Sequence, residues 1–159
     1  MKATTTAALA AMVLGATCPG SALAAPTDAS DGPIAAAAAP ATAAAVSAAL
    51  SKVGASYASG AAGPDAFDCS GLTMWALSRA DIAAPHSSYA QYAMGTAVPR
   101  SEIRRGDLVF FDSFGAGASH VGIATSPTTA VSATNHGVMT HPIFDTYWGG
   151  HYVGARRLG

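Results

Sequence analysis

The sequence predicts a single α+β domain in which N-terminal helices pack on a mostly antiparallel sheet. Helical patterns come first, at residues 42–53, 69–79 and 87–94. From residue 107 onward the pattern changes to short strands separated by turns. Helices and strands segregated along the chain in this way are typical of α+β folds, and 159 residues are enough for one such domain.

The predicted helices have local signals at their ends. Residues 42–53 contain good helix formers and stop before Gly54, a suitable C-cap. From Leu72, side chains that suit a buried face recur at i, i+3 and i+4, and either Asp68 or Ser70 can cap the start of that helix. A third short helix follows Pro85.

The other segments are predicted to form a loop and then strands. Glycine and proline interrupt residues 58–67, which favours a loop. Apolar runs bounded by turn residues predict strands at residues 107–111, 120–124, 130–133, 138–141 and 152–156.

The first 42 residues are expected to lie outside the folded domain. Lys2, the apolar stretch 7–16 and the small residues Ala22-Leu23-Ala24 form the pattern of a secretory signal peptide over residues 1–24. Residues 25–42 are rich in Ala and Pro and are expected to form a flexible linker. Residues 43–159 then form the domain, and export would place it outside the cell or in the cell envelope.

Composition argues against several classes of protein. A formal net charge of −1 lacks the basic excess of a nucleic-acid-binding domain. No run of about 20 apolar residues follows the N-terminal region, so no membrane span is expected. The histidines show no zinc-site spacing and no CxxC motif occurs, so we expect no metal and no other cofactor. The protein is expected to be a monomer.

Cysteine usage draws attention to one residue. The chain has two cysteines, Cys18 and Cys69, and removal of the signal peptide would leave Cys69 without a disulfide partner. Cys69 stands at a predicted helix start, where free N–H groups and the helix dipole favour a thiolate, so its thiol pKa is expected to be lowered. The alternative is a small, buried and inert side chain.

A cysteine nucleophile needs a base, and His120 is the candidate by context. It follows the small-residue loop 115–119 and begins a predicted strand, where an imidazole can face a groove. From there it can take the thiol proton and later protonate a leaving amine. The alternative is a histidine with a purely structural or surface position.

Five segments of the chain resemble, in order, the NlpC/P60 family of cysteine peptidases. The nucleophile motif of that family is matched by Phe67-Asp68-Cys69-Ser70-Gly71-Leu72. The next segment, in which His86 replaces the family's Arg, is Pro85-His86-Ser87-Ser88-Tyr89-Ala90-Gln91. The remaining segments are residues 105–111, the base segment His120-Val121-Gly122-Ile123, and an ending with Tyr147-Trp148 and Gly154-Ala155-Arg156-Arg157.

This resemblance implies a papain-like fold for residues 43–159 and a secreted enzyme that acts on peptidoglycan. The implied activity is hydrolysis of stem peptides at the γ-D-glutamyl to diamino-acid bond, with Cys69 as nucleophile and His120 as base. Three alternatives stay open: an N-acetylmuramoyl-L-alanine amidase, a transpeptidase-like acyltransferase, and an inactive wall-binding module.

The resemblance also suggests roles for other residues. In the family, a third polar residue orients the base and stands twelve positions after it. Here that position is Ser132, with Asn135 or His136 as alternatives. Tyr57 matches a tyrosine of the oxyanion site, although Ser59 replaces the tryptophan of the same family segment. The other residues expected at the oxyanion or substrate-binding site are Asp68, Ser70, Ser88 and Gln91.

Overall fold

The structure is a computed structural model, in which the backbone is described for residues 33–159 and the side chains for residues 41–159. The predicted signal peptide and residues 25–32 of the predicted linker lie outside these residues. The helices are α1 (Pro33–Leu50), α2 (Cys69–Ser78) and α3 (Ser88–Tyr92), with a 3₁₀ turn at Arg100–Glu102. The strands are β1 (Ser56–Tyr57), β2 (Ala66–Phe67), β3 (Thr96–Val98), β4 (Leu108–Phe111), β5 (His120–Ala124), β6 (Thr129–Thr134), β7 (Gly137–Pro142) and β8 (Tyr152–Arg157).

A six-stranded antiparallel sheet forms the centre of the domain, in the order β3-β8-β4-β5-β6-β7. The α+β prediction is therefore confirmed. Strand β4 is buried along its whole length, because each face of the sheet is covered. On one face Leu108 and Phe110 join the core formed with α1 and α2, and on the other Val109 and Phe111 pack with Ile143.

Helix α2 is anchored at its first turn and packs on β5 and β6. Asp68 is the N-cap, and its carboxylate accepts a hydrogen bond from the Gly71 N–H at 2.6 Å. The Asp68 N–H in turn donates to the carbonyl oxygen of Ala61 at 2.8 Å. These bonds hold Cys69, the first residue of α2, next to the beginning of β5.

Several element boundaries differ from the sequence prediction. Helix α1 begins at Pro33, so residues 33–42 of the predicted linker are helical, in keeping with the high helix propensity of their many alanines. The predicted loop 58–67 ends in β2, which pairs in parallel with β1. Strand β3 was not predicted, because three residues are too few to show a period and its pairing depends on β8. In the described part of the chain, no helix has the length and apolar character needed to cross a membrane.

Candidate active site

Cys69 is partly buried, and its surroundings affect the thiol in opposing ways. Burial is the largest effect and raises the pKa of the thiol, and the neighbouring Asp68 carboxylate acts in the same direction. Backbone N–H groups of Val121, Ser70 and Cys69 itself point at the sulfur and favour the thiolate. The net pKa is raised, so the lowered value predicted from the helix start is wrong: loss of solvation outweighs the N–H groups.

Asp68 connects three parts of the chain around this thiol. Besides the Gly71 N–H, its carboxylate accepts a hydrogen bond from the Gly60 N–H at 2.8 Å. The Nε2 atom of His86 lies 2.9 and 3.0 Å from the two carboxylate oxygens. Burial raises the pKa of Asp68, but these donors together outweigh it and the pKa is lowered. Both carboxylate oxygens therefore have hydrogen-bond partners within the protein. One of these partners is His86, which stands where the family resemblance expects Arg.

His120 is the first residue of β5 and is fully buried. Its Nε2 atom lies 3.1 Å from Oγ of Ser132. Its Nδ1 atom is also buried and has no hydrogen-bond partner among residues 33–159. Burial, with a smaller effect from the nearby His141, lowers the pKa of His120 to about 3. The imidazole is thus neutral at pH 7 and keeps one ring nitrogen without a partner among the described residues, one residue before the Val121 N–H that points at Cys69.

The Ser132 hydroxyl bridges two histidines inside the domain. Its Oγ atom lies 3.1 Å from Nε2 of His120 and 2.8 Å from Nε2 of His141. The Nδ1 atom of His141 lies 2.9 Å from the carbonyl oxygen of Pro142. The indole of Trp148 stacks on the His141 ring with a centroid distance of 3.8 Å. The four groups form one continuous hydrogen-bonded row covered by an aromatic ring.

The two alternatives for the third polar residue lie elsewhere. Asn135 and His136 occupy the turn between β6 and β7 and are exposed. The structure therefore brings Ser132, and not these two residues, against His120. The reason is the strand pairing, which aligns Ser132 with Met139 inside the hairpin and leaves 135 and 136 at its tip.

Of the residues predicted for the oxyanion and substrate-binding site, Tyr57 is partly exposed, whereas Ser70 and Ser88 are buried. Tyr57 is 36% exposed, and its pKa is raised by burial and by the proximity of Cys69 and Asp68, so its hydroxyl belongs to the same neighbourhood. Ser70 is buried and its hydroxyl donates to Asp68 at 3.1 Å. Ser88 is also buried, in the first turn of α3.

Gln91 does not line a binding surface. Its side chain is completely buried, and its Nε2 donates to the carbonyl oxygens of Ser70 at 3.0 Å and of Pro85 at 2.8 Å. Its Oε1 accepts from the Thr73 hydroxyl at 2.6 Å. The amide therefore joins α2 to α3, and the prediction that Gln91 contacts substrate is corrected to a structural role, since its polar atoms are already bonded.

Two cavities lie on either side of the β6–β7 turn. One, of about 390 Å³, is lined by Phe114 and Trp148 among others, and the second, of about 370 Å³, is lined in part by Tyr57. Asn135 and His136 line both cavities. Because Trp148 stacks near His120 and Tyr57 lies near the thiol, these cavities offer room for an extended ligand next to the site. No cluster of three or more metal-binding side chains occurs within the described residues.

The sequence pattern of the NlpC/P60 family matches residues 54–157, a span that includes every residue of this site. The chain belongs to the NlpC/P60 family. A relative named as probable endopeptidase p60, from Listeria monocytogenes, is 42% identical over 106 residues, which cover 67% of this chain and 22% of that protein. A probable endopeptidase of Corynebacterium glutamicum is 49% identical over 84 residues, covering 53% of this chain and 39% of the relative. This NlpC/P60 chain therefore matches less than half the length of either relative.

Solved structures share the fold. An NLP/P60 family protein of Staphylococcus aureus, described as similar to a lipoprotein, superposes with a TM-score of 0.68 at 31% identity, covering 75% of this chain and 41% of that one. The P60 domain of an antigen from M. avium subspecies paratuberculosis superposes with a TM-score of 0.63 at 26% identity, covering 76% of this chain and 96% of that domain. The predicted NlpC/P60 fold is confirmed.

The sequence did not point to one residue of this candidate site, His141. Two segments with strand signals around a turn at Asn135 and His136 suggest a hairpin, in which Ser132 and His141 fall on the same face. This shared face was the only indication in the sequence that His141 lies beside Ser132. It can be used only when the pairing register of the hairpin is known, and the spacing of the residues does not give that register.

Proposed function

We propose that this NlpC/P60 domain is a cysteine peptidase that hydrolyses peptidoglycan stem peptides, at the bond between the γ-D-glutamyl residue and the diamino acid. The observation that carries the proposal is that the partly buried thiol at the start of α2 receives the Val121 N–H of β5, one residue after the buried imidazole of His120. The names of the relatives, both probable endopeptidases, support a peptidase over other acyl-transfer enzymes.

The proposed reaction begins from a neutral pair, because burial raises the pKa of Cys69 and lowers that of His120. As the sulfur attacks the peptide carbonyl carbon, His120 takes the thiol proton at Nδ1 and a C–S bond forms. The backbone N–H groups that point at the sulfur stabilise the charge that develops there before the bond is complete. His120 thus acts as a general base during attack, rather than as one half of a preformed ion pair.

The carbonyl oxygen becomes an oxyanion that needs hydrogen-bond donors. The proposed donors are the Tyr57 hydroxyl and backbone N–H groups at the start of α2. When the C–N bond breaks, His120 returns its proton to the leaving amine of the diamino acid. Water, deprotonated by His120, then attacks the thioester and releases the γ-D-glutamyl carboxylate together with the Cys69 thiol.

We propose that the reaction takes place outside the cell or in the cell envelope. The argument is the signal-peptide pattern of residues 1–24 together with the extracellular position of peptidoglycan itself. Determination of the N-terminus of protein recovered from the culture medium or envelope tests this. A start at Ala25 is expected, and retention of Met1 on protein found only inside the cell would contradict export.

The activity is tested by digestion of isolated peptidoglycan with the purified protein, followed by mass spectrometry of the released fragments. Cys69→Ala is the matched control, since it removes the sulfur with little change in volume at a partly buried position. Circular dichroism and thermal unfolding establish that both proteins are folded. We expect fragments ending in D-glutamate or isoglutamine from the wild type and none from Cys69→Ala.

Other products would identify the alternatives. Intact stem peptides freed from the glycan would indicate an amidase and refute the proposed bond. Equal digestion by wild type and Cys69→Ala would refute the nucleophile. Binding to the wall without any fragment, by folded wild-type protein, would indicate a wall-binding module.

A further inference from the structure

The hydrogen-bonded row behind His120 has a fixed direction. A carbonyl oxygen only accepts, so Nδ1 of His141 donates to Pro142 and carries the proton of a neutral ring. Nε2 of His141 then accepts, so the Ser132 hydroxyl donates to it over 2.8 Å. Oγ of Ser132 is left to accept from Nε2–H of His120 over 3.1 Å. The network therefore assigns the His120 proton to Nε2 and leaves the lone pair on Nδ1.

Ser132 alone would not impose this direction. A hydroxyl rotates and serves as donor or acceptor, so a serine without a second partner fits either tautomer of His120. The tautomer with its proton on Nδ1 has no lone pair there and does not accept a proton from a thiol. The partner that removes the ambiguity is His141, which is 4% exposed and whose own orientation is set by Pro142 and by the stacked Trp148.

We propose that His141 is a positioning residue for the catalytic base: acting through the Ser132 hydroxyl, it holds His120 in the tautomer whose Nδ1 is free to take the Cys69 proton. This inference rests on the proposed function for its kinetic consequence, although the tautomer itself does not depend on catalysis. Burial lowers the pKa of His141, against opposing effects of Pro142 and Asp145, which keeps its ring neutral as the row requires.

The same row stabilises His120 after it has accepted the proton. The imidazolium donates from Nε2 to Ser132, whose oxygen is a better acceptor because its own O–H donates onward to His141. The neutral Ser132 thereby provides part of the stabilisation of the imidazolium that a charged residue or an imidazole would provide at this position. The benefit arises in the transition state, so loss of His141 should lower kcat more than it raises KM.

The first test reads the tautomer directly. Long-range ¹H–¹⁵N NMR spectra of the wild-type imidazoles at pH 7 distinguish a protonated Nε2 from a protonated Nδ1, and His120→Gln identifies the His120 signals. We expect His120 to carry its proton on Nε2. A proton on Nδ1, or a mixture of both tautomers, would overturn the proposal whether or not the protein digests peptidoglycan.

The second test is kinetic, on a purified stem peptide with the γ-D-glutamyl to diamino-acid bond. His141→Phe keeps a ring for stacking on Trp148 but has no acceptor, and His141→Gln keeps an acceptor for Ser132. We expect kcat to fall roughly 10- to 100-fold in His141→Phe, with KM changed less than about 2-fold, and to recover at least in part in His141→Gln. Thr140→Val, at an exposed position on the other face of β7, is the matched control and should keep wild-type kcat.

A double-variant cycle shows whether the effect passes through Ser132. In a Ser132→Ala background the row is already broken, so His141→Phe should reduce kcat no further. Full additivity of the two losses, wild-type kcat in His141→Phe, or an equal loss in Thr140→Val would each overturn the proposal. If wild-type protein cleaves no stem peptide, the proposed function fails, and the NMR measurement still decides the role of His141.

Discussion

Because the His120 imidazole is buried in its neutral form, we expect the free energy of unfolding to fall with decreasing pH by an amount that can be calculated. Its pKa is lowered from 6.5 to about 3 by burial and, to a smaller extent, by His141. Between these pH values the unfolded chain binds a proton at this residue and the folded chain does not. The contribution of His120 to the free energy of unfolding is fully present above pH 6.5 and is lost as the pH falls towards 3. At about 1.4 kcal/mol per pKa unit, this one residue removes roughly 2 kcal/mol between pH 7.5 and 5.0.

The assay is urea unfolding at pH 7.5 and 5.0, with the loss of unfolding free energy compared between wild type and His120→Gln. The amide of the variant does not titrate in this range, so the wild type should lose about 2 kcal/mol more than the variant. Burial of His141 adds a loss of the same sign in both proteins and cancels in the comparison. The matched control is Thr140→Val, which exchanges two side chains that do not titrate at an exposed position and should lose as much as the wild type.

Equal losses in wild type and His120→Gln would refute this reasoning. A difference smaller than about 0.5 kcal/mol, which is near the uncertainty of extrapolated unfolding energies, would mean that the folded protein protonates His120 at pH 5. The imidazole would then not be held neutral by burial, and the low pKa from which the proposed reaction starts would also be wrong.

Three other substitutions test the packing and the proposed chemistry. Asp107→Asn should lower the free energy of unfolding by about 2–3 kcal/mol in urea titrations, since buried Asp107 receives two bonds of 2.9 Å from Arg157; a change below about 0.5 kcal/mol would contradict a stabilising role for this pair. Gly71→Ala should lower the melting temperature by an amount equivalent to about 1–3 kcal/mol, because the added Cβ would overlap the carbonyl oxygen of Ala61, and an unchanged melting temperature would show that the loop yields freely. Tyr57→Phe should lower kcat on a stem peptide by about 100-fold with little change in KM, and a wild-type kcat would exclude the Tyr57 hydroxyl from the oxyanion site.

The main strands and the second helix could be predicted because each carries its own signal. Strand β4 is a continuous apolar run, and α2 has a cap at Asp68 followed by apolar residues at helical spacing. Strands β1, β2 and β3 have two or three residues and form through their partners, so their own residues hold too little information. By composition, the alanines before residue 42 predict a linker, whereas in the structure they extend α1 back to Pro33.

The candidate site divides in the same way. Cys69 and His120 could be predicted as candidates because each begins an element and stands beside small or polar neighbours. The segment that contains Gln91 predicts substrate binding by resemblance, yet packing places this residue between α2 and α3 with its amide fully bonded. His141 was missed because its partnership with Ser132 exists only once β6 and β7 are paired in register.

By itself, the sequence determined the fold class and gave candidates for the nucleophile, the base and the third polar residue, since these depend on residue type and order along the chain. Only the tertiary structure decided the direction of the pKa shifts, because solvation at Cys69 and His120 depends on what covers them. It also decided the proton position on His120. The direction of a row of hydrogen bonds is set by its last member, which here is the carbonyl oxygen of Pro142. This carbonyl is connected to His120 only through the pairing of β6 with β7, which no local sequence pattern encodes.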